Sequence, residues 1–471
     1  MSSQHDIDQF VQKFVHELEE ENAAVFVGAG LSIPAGFVSW KDLLRPIAQG
    51  LQLEIDRGID LIAVAQFHVN EKSRADLDQQ LMNAFTGDAK LTENHRTLAR
   101  LPIKTFWTTN YDRTIENALV EAGKVVDVKY TVDHLRLTKP RRDAVIYKMH
   151  GDMENPTDAV LTKDDYEAYD TDREPFVTAL KGALVSKTFL FVGFSFTDPN
   201  LDYIFSRVRL GLQKNPRTHY CVLRRVARGD FTNGADFDYE ARKQILQIGD
   251  LKRFGLQTLL IGSYTELTQL LQNFEERFKQ RTIFVSGSAH DYGSMSTADA
   301  EAYIKKLSKQ IISSGHKIVS GFGLGVGSHV ITGVLQHVYE EKHEKLMDQL
   351  MLRPFPQGTD GAIQWTTYRK DMIRYAGIAI FLFGNKKNGD GSSIFADGMR
   401  EEFEIAKERG LKLIPVGATG YMAQELWREI DDNFERYYPE ASESLKSAFK
   451  QLNQAESDKA VMQMLSLLKS N

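Results

Sequence analysis

The chain reads as an α/β protein made of two Rossmann-like, doubly wound units. Three observations carry that reading. Short apolar runs alternate with longer stretches of helical periodicity along the chain, the pattern of parallel sheets with helical crossovers. Several apolar runs end in Gly, Ser, Asn, Asp or His, and in open α/β sheets ligands bind outside the carboxyl ends of the strands. The pattern then restarts at Arg281, with a fresh strand, a small-residue loop and a helix. The expected division is an N-terminal helix over 1–22, a first domain over 23–280 and a second over 281–471.

Each element follows from its pattern. Phe10, Phe14, Val15 and Leu18 give the polar N-terminus one apolar helical face. Ala23–Val27 is a strand, and helical spacing follows over Trp40–Gly50, Leu61–Asn70 and Ala75–Phe85. Strands are expected at Thr105–Trp107, Val125–Tyr130, Ala144–Met149, Thr188–Val192, Tyr220–Leu223 and Leu256–Ile261. The helices between and after them are Tyr111–Glu121, Glu174–Val185, Leu201–Leu212, Tyr239–Ile248 and Tyr264–Lys279. In the second domain the strands are Arg281–Val285, Lys317–Val319, Gln349–Leu352, Ala376–Phe383 and Leu413–Val416. Its helices are Asp299–Ser313, Ser328–Glu341, Gln364–Tyr375 and Arg400–Arg409, with helix again from Met422 onward.

Composition narrows the function classes. At 42% hydrophobic and 26% charged residues the chain is of the soluble globular class. A net charge of −6 gives no reason to expect a nucleic-acid partner. No apolar run approaches the ~18–20 residues that span a bilayer, and the N-terminus lacks a secretory pattern. A cytoplasmic location without membrane attachment is therefore expected. The one cysteine, Cys221, lies in an apolar strand and is expected in the core. It cannot build a four-cysteine zinc site, so no metal is expected.

Four motifs converge on one candidate site in the first domain: Gly28-Ala29-Gly30-Leu31-Ser32, Thr108-Thr109-Asn110-Tyr111-Asp112, His150-Gly151 and Gly193-Phe194-Ser195-Phe196-Thr197-Asp198-Pro199. Gly28, Ala29 and Gly30 let backbone N–H groups approach a pyrophosphate at a helix start; a tight βα turn uses the same residues. Ser32 and Asn110 suit either a ligand or a helix cap. His150, with a side chain that titrates near neutrality, is the natural general base of the set.

Taken in this order, the motifs resemble the NAD-binding domain of the sirtuins over about residues 20–280. The resemblance implies that Asn110 and His150 are catalytic. It implies that Gly28, Ala29, Gly30, Ser32, Asp112 and Ser195 line an NAD site, with NAD as substrate and no further cofactor. Sirtuin deacylases also carry a four-cysteine zinc module, which this chain lacks. Cleavage of the nicotinamide–ribose bond is then expected rather than deacylation. A nucleotide-binding regulatory protein without turnover is the alternative from another class.

In the second domain Ser286-Gly287-Ser288 and the run Ser320–Gly327, with Gly at 321, 323, 325 and 327, follow two successive strands. They suit a backbone nest for phosphates or close helix–strand packing. This half resembles the SLOG superfamily of nucleotide-binding domains. The Pro-Gly-Gly-x-Gly-Thr-x-x-Glu motif of its hydrolase members is degraded here to Phe395-Ala396-Asp397-Gly398-Met399-Arg400-Glu401-Glu402, so sensing is expected. The pairing of the two halves resembles the effector NADases of the Thoeris anti-phage system. That resemblance implies activation by a cyclic ADP-ribose isomer made by a partner TIR-domain protein. It implies an effector site at Gly287, Ser288, Gly321, Gly323, Arg369, Lys386 and Glu401, and a homotetramer or larger assembly.

Overall fold

Seven parallel strands form the first sheet: β1 (Ala23–Val27), β2 (Thr105–Thr108), β3 (Val126–Lys129), β4 (Ala144–Lys148), β5 (Thr188–Val192), β6 (His219–Arg224) and β7 (Leu256–Ile261). Their order is β3-β4-β2-β1-β5-β6-β7, so the chain winds outward from β1 in one direction and then returns to wind in the other. The topological switch point lies between β1 and β5, where an open α/β sheet forms its ligand crevice. The structure, a computed structural model, describes residues 4–85, 89–196, 204–206, 217–341, 349–355 and 364–470. Thr197, Asp198, Pro199 and the expected helix 201–212, apart from residues 204–206, lie outside the described residues.

β1 and β5 are buried at every position, which is why they read as unbroken apolar runs. Phe26 stacks on Phe191 at 5.3 Å across this centre. Register then aligns the strand ends. Val27 pairs with Thr108 and with Val192, and Thr108 pairs with Lys148. β1, β2, β4 and β5 stop on one level, so the four motifs leave the sheet side by side.

The second sheet is also parallel. Its strands are β8 (Thr282–Ser288), β9 (Lys317–Ser320), β10 (Leu350–Leu352), β11 (Ile378–Phe383) and β14 (Lys412–Pro415), in the order β10-β9-β8-β11-β14. A separate antiparallel hairpin joins β12 (Asn385–Lys387) to β13 (Ser393–Phe395). Gly287 and Ser288 belong to β8 rather than to a loop, because β8 pairs with β11 as far as Phe383. The chain divides into two compact units, Met1–Glu275 and Glu276–Asn471. The division falls inside the helix Tyr264–Gln280, so the last turn of that helix belongs to the second unit. Gln280 packs there against Gly377, where a Cβ would lie 2.5 Å from the Gln280 nitrogen.

Several helices escape sequence patterning, among them Glu93–Arg100 and Lys163–Asp172. Both begin with a threonine capping box, Thr92 with His95 and Thr162 with Asp165. The helix expected from Tyr111 starts only at Thr114, because Asp112 bends the chain by accepting the Thr114 N–H at 2.9 Å. Among the described residues no helix is long and apolar enough to cross a membrane.

The N-terminal helix Gln4–Glu19 is part of the first unit's core. Val11 and Phe14 are fully buried. Phe10 meets Tyr220 edge-on at 4.7 Å, and Phe14 meets Phe274 at 5.0 Å. Glu17 pairs with Arg217 at 2.8 Å. Phe14→Ala should destabilise the first unit by about 3–5 kcal/mol. Urea unfolding followed by tryptophan emission checks this; an unchanged midpoint contradicts the packing role.

Candidate active site

A cavity of about 680 Å³ opens over the aligned strand ends of the first sheet. Ala29, Gly30, Ser32, Asn110, Asp112, His150 and Ser195 all line it, so the fold gathers residues from four separate motifs. Apolar side chains close much of the remainder, including Ile33, Val38, Trp40 and Phe85. That mixture of apolar walls and a few convergent polar groups is typical of small-molecule sites. Among the described residues no group of three or more His, Cys, Asp or Glu is placed to hold a metal ion.

Gly28 does not line the cavity; it lets two backbones cross. Its N–H donates to the Val192 carbonyl at 2.9 Å, and the Gly30 N–H donates to Gly193 O at 2.8 Å. A Cβ on Gly28 would sit 2.4 Å from Gly193 O. Gly193 has φ +67° and no room for a side chain, since its Cβ would lie 2.4 Å from the Leu31 nitrogen. The helix expected after this turn is only Ala29–Ser32. The 3₁₀ turn that follows, Ile33–Ala35, is ended at once by the left-handed Gly36, so little macrodipole is available for a pyrophosphate.

Asn110 is held from both ends. Its N–H donates to Thr108 Oγ1 at 2.9 Å, and that hydroxyl donates to the Val27 carbonyl at 2.8 Å. Its side-chain Nδ2 donates to Ser32 Oγ at 3.1 Å. Ser32 makes no side-chain cap to the 3₁₀ turn after it and instead orients the Asn110 amide. Asp112 is buried and takes both the N–H and the hydroxyl of Thr114 on one oxygen; it is at once a turn-former and a wall of the cavity.

His150 follows β4 and is buried. Tyr166 and Tyr169 lie edge-on to its ring at 5.5 and 5.9 Å, and Tyr166 also lines the cavity. Sequence reasoning misses this aromatic bracket, because the helix Lys163–Asp172 that carries it has little apolar periodicity. The capping box at Thr162 is the available signal. Gly151, at φ +95°, turns the chain so that Val160 N–H reaches His150 O at 2.9 Å. Cys221 is fully buried and bonded to Thr258 Oγ1; burial pushes its thiol up to about 12, so it is no nucleophile.

In the second unit Gly287, Ser288, Gly321, Gly323 and Arg369 line one smaller cavity of about 160 Å³. Lys386 and Glu401 do not. Lys386 sits in the hairpin strand β12 and pairs with Asp397 at 2.6 Å. Glu401 faces outward from the helix Asp397–Glu408 and bonds Arg369 and Thr366. The cavity wall is Glu402 instead, which accepts from Ser286 Oγ at 2.6 Å and lies 3.5 Å from Arg369. Both carboxylates reach Arg369, Glu401 from the exposed side and Glu402 from the buried side. The glycine density also has a packing cause: a Cβ on Gly323 would lie 1.9 Å from Gly287 O.

A family model of SIR2-like domains matches residues 104–246. A second, the Sir2- and TIR-associating SLOG family, matches residues 266–471. The chain is 51% identical to the NAD(+) hydrolase ThsA of Bacillus cereus (strain MSX-D12) over 449 residues, covering 95% of this chain and 94% of that protein. It belongs to the ThsA family. The ThsA of Acinetobacter baumannii (strain 532279) is 47% identical, covering 96% of each chain. That of Enterococcus faecium is 41% identical, covering 98% of each. The SIR2-like match spans β2 to β6 of the first sheet, and the SLOG match spans the whole of the second.

Burial raises the Glu402 carboxyl to about 7, against the downward pull of its Ser286 bond and of Arg369. Its folded value therefore lies above its ordinary 4.5. Stability from this group is fully present below pH 4.5 and is lost as pH rises toward 7. The loss is on the order of 3 kcal/mol at about 1.4 kcal/mol per pH unit. Glu402→Gln should flatten that pH dependence in urea unfolding of the second unit; an unchanged slope contradicts the assignment.

Proposed function

We propose that this chain hydrolyses NAD(+) at the nicotinamide–ribose bond, giving nicotinamide and ADP-ribose. The observation that carries the reading is the convergence of Asn110, Asp112 and His150 on one cavity at the switch point of the first sheet. Nicotinamide departs with the C–N bonding pair as a neutral molecule, so no acid is needed to protonate it. The sugar passes through an oxocarbenium-like state, as in glycoside hydrolysis. The Asp112 carboxylate adds negative charge to the cavity wall that faces it. Asn110, fixed by Thr108 and Ser32, positions the ribose or the attacking water. His150 takes the water's proton as the new C–O bond forms.

In the same reading the SLOG unit is the gate. A cyclic ADP-ribose isomer, supplied by a TIR-domain protein, binds over Gly287, Ser288, Gly321, Gly323 and Arg369. Lys386 and Glu401 reach it as the site opens. NAD loss then serves anti-phage defence in the cytoplasm, through a homotetramer or larger assembly. Opening is required because about 160 Å³ falls below the roughly 300 Å³ at which ligand pockets begin. Arg369 is held shut by Glu401 and flanked by the Phe355 ring at 5.2 Å. Phosphate oxygens of the signal are the natural replacement for Glu401 on that guanidinium.

Nicotinamide release by the full chain, with and without a cyclic ADP-ribose isomer, tests both halves of the reading. Release only with the isomer is the expected result. Release without it removes the gate, and intact NAD in both arms overturns the hydrolase. His150→Ala should lower kcat by about 10²–10⁴-fold, and Asn110→Ala by a comparable factor, with folding retained by circular dichroism.

A further inference from the structure

We infer that Lys148 is the positioning residue of this active site, a buried ammonium that ties the segment carrying Asn110 to the segment carrying His150. The inference rests on the reading that those two residues perform the chemistry. Lys148 is the last residue of β4, and its side chain is fully buried. Its Nζ donates to Tyr111 O at 3.1 Å, to Asp112 O at 2.5 Å and to Asp152 Oδ2 at 2.6 Å. Glu116 Oε1 lies 3.1 Å away.

An ammonium has three N–H donors and no acceptor. Here they are spent on the two carbonyls that directly follow Asn110 and on the carboxylate two residues beyond His150. Asp152 is fully buried too, and its other oxygen accepts the Glu154 N–H at 2.9 Å. The Met153 N–H reaches Tyr111 O at 3.1 Å. One cation therefore laces the loop after β2 to the loop after β4, and the strand register places both loops on the cavity.

The arrangement is costly for mere cohesion. Burial alone would depress the lysine, and the charges of Glu116, Asp152 and Asp112 outweigh it and hold the ammonium above its ordinary value. Well-packed apolar groups of the same volume serve stability as well as a buried ion cluster, or better. What they do not supply is a directed constraint on the Tyr111 and Asp112 carbonyls. Catalytic groups displaced by ~1 Å lose rate on the order of 10²-fold, so a fixed gap between Asn110 and His150 has a kinetic value that packing lacks.

Lys148→Met alone would leave buried carboxylates uncompensated and endanger folding. The test is the combined variant Lys148→Met, Glu116→Gln, Asp152→Asn, which removes the charges together. Its melting curve and its kcat and KM for NAD are measured on the full chain with the cyclic ADP-ribose isomer present. The expected result is near-normal melting, kcat lower by about 10²-fold and KM within about threefold. Recovery of kcat together with melting overturns the inference, as does a rise in KM at constant kcat. Should the combined variant fail to fold, Asp152→Asn keeps the shape and weakens one arm; a kcat drop of about tenfold at constant KM supports the inference, and wild-type kcat overturns it. His150→Ala is assayed alongside. If it retains turnover, the catalytic placement itself falls, whatever Lys148 does.

Discussion

The first unit depends on a close backbone crossing at its topological switch point. Gly28 and Gly30 donate to Val192 and Gly193, and neither Gly28 nor Gly193 has space for a Cβ. A side chain at either place would push the β1 and β5 exits apart. Because β1, β2, β4 and β5 end in register, such a wedge would be felt at Asn110 and His150, which lie on neighbouring exits. The second sheet repeats the device: Gly323 approaches Gly287 O and Gly325 approaches Ala289 O. In both units glycine serves the meeting of backbones, and the cavity is the space left beside that meeting.

The electrostatic plan of the site follows from what is buried under it. Lys148, Asp152 and Glu116 are sealed below the exits of β2 and β4, where each charge needs a partner. Their partners are one another and the backbone, so the polar groups above are left for the cavity. Asn110 and Asp112 are each fixed by a short-range bond to a threonine hydroxyl or amide, and His150 is bracketed by two tyrosine edges. The polar groups that line the cavity therefore sit on strand ends with local supports, which fix their positions relative to one another.

Legibility in the sequence follows the physics of each feature. Strands such as Thr188–Val192 are readable because a strand buried on both faces has to be continuously apolar. The motif residues are readable because the exits of aligned strands onto a cavity draw on few residue types. Tyr166 is not, since its helix carries little apolar periodicity and is announced only by the Thr162 capping box. Glu401 comes from the family resemblance alone; that its neighbour Glu402 lines the cavity depends on which side of the helix faces the sheet, and tertiary packing decides that. Lys386 reads as a loop residue from its glycine and asparagine neighbours, whereas pairing of Asn385–Lys387 with Ser393–Phe395 makes it a strand. Lys148 carries no signal at all. A lysine at a strand end is ordinarily solvated, and only the fold reveals the carboxylates around it.

The pairing of Arg369 beside the second cavity bears on how a gate would work. Arg369 is nearly buried between Phe355, Trp365, Glu401 and Glu402, so the guanidinium already has anionic partners. A ligand shifts an equilibrium only by its differential affinity for the two states. A dianionic pyrophosphate that took over Arg369 would gain a charge-assisted fork, but it would displace Glu401 from the guanidinium and lie beside Glu402. The Glu402 carboxyl, raised by burial, is the group that tolerates this, because protonation removes its repulsion for the incoming anion. In the proposed gate, binding of an anion and protonation of Glu402 would then reinforce each other through thermodynamic linkage.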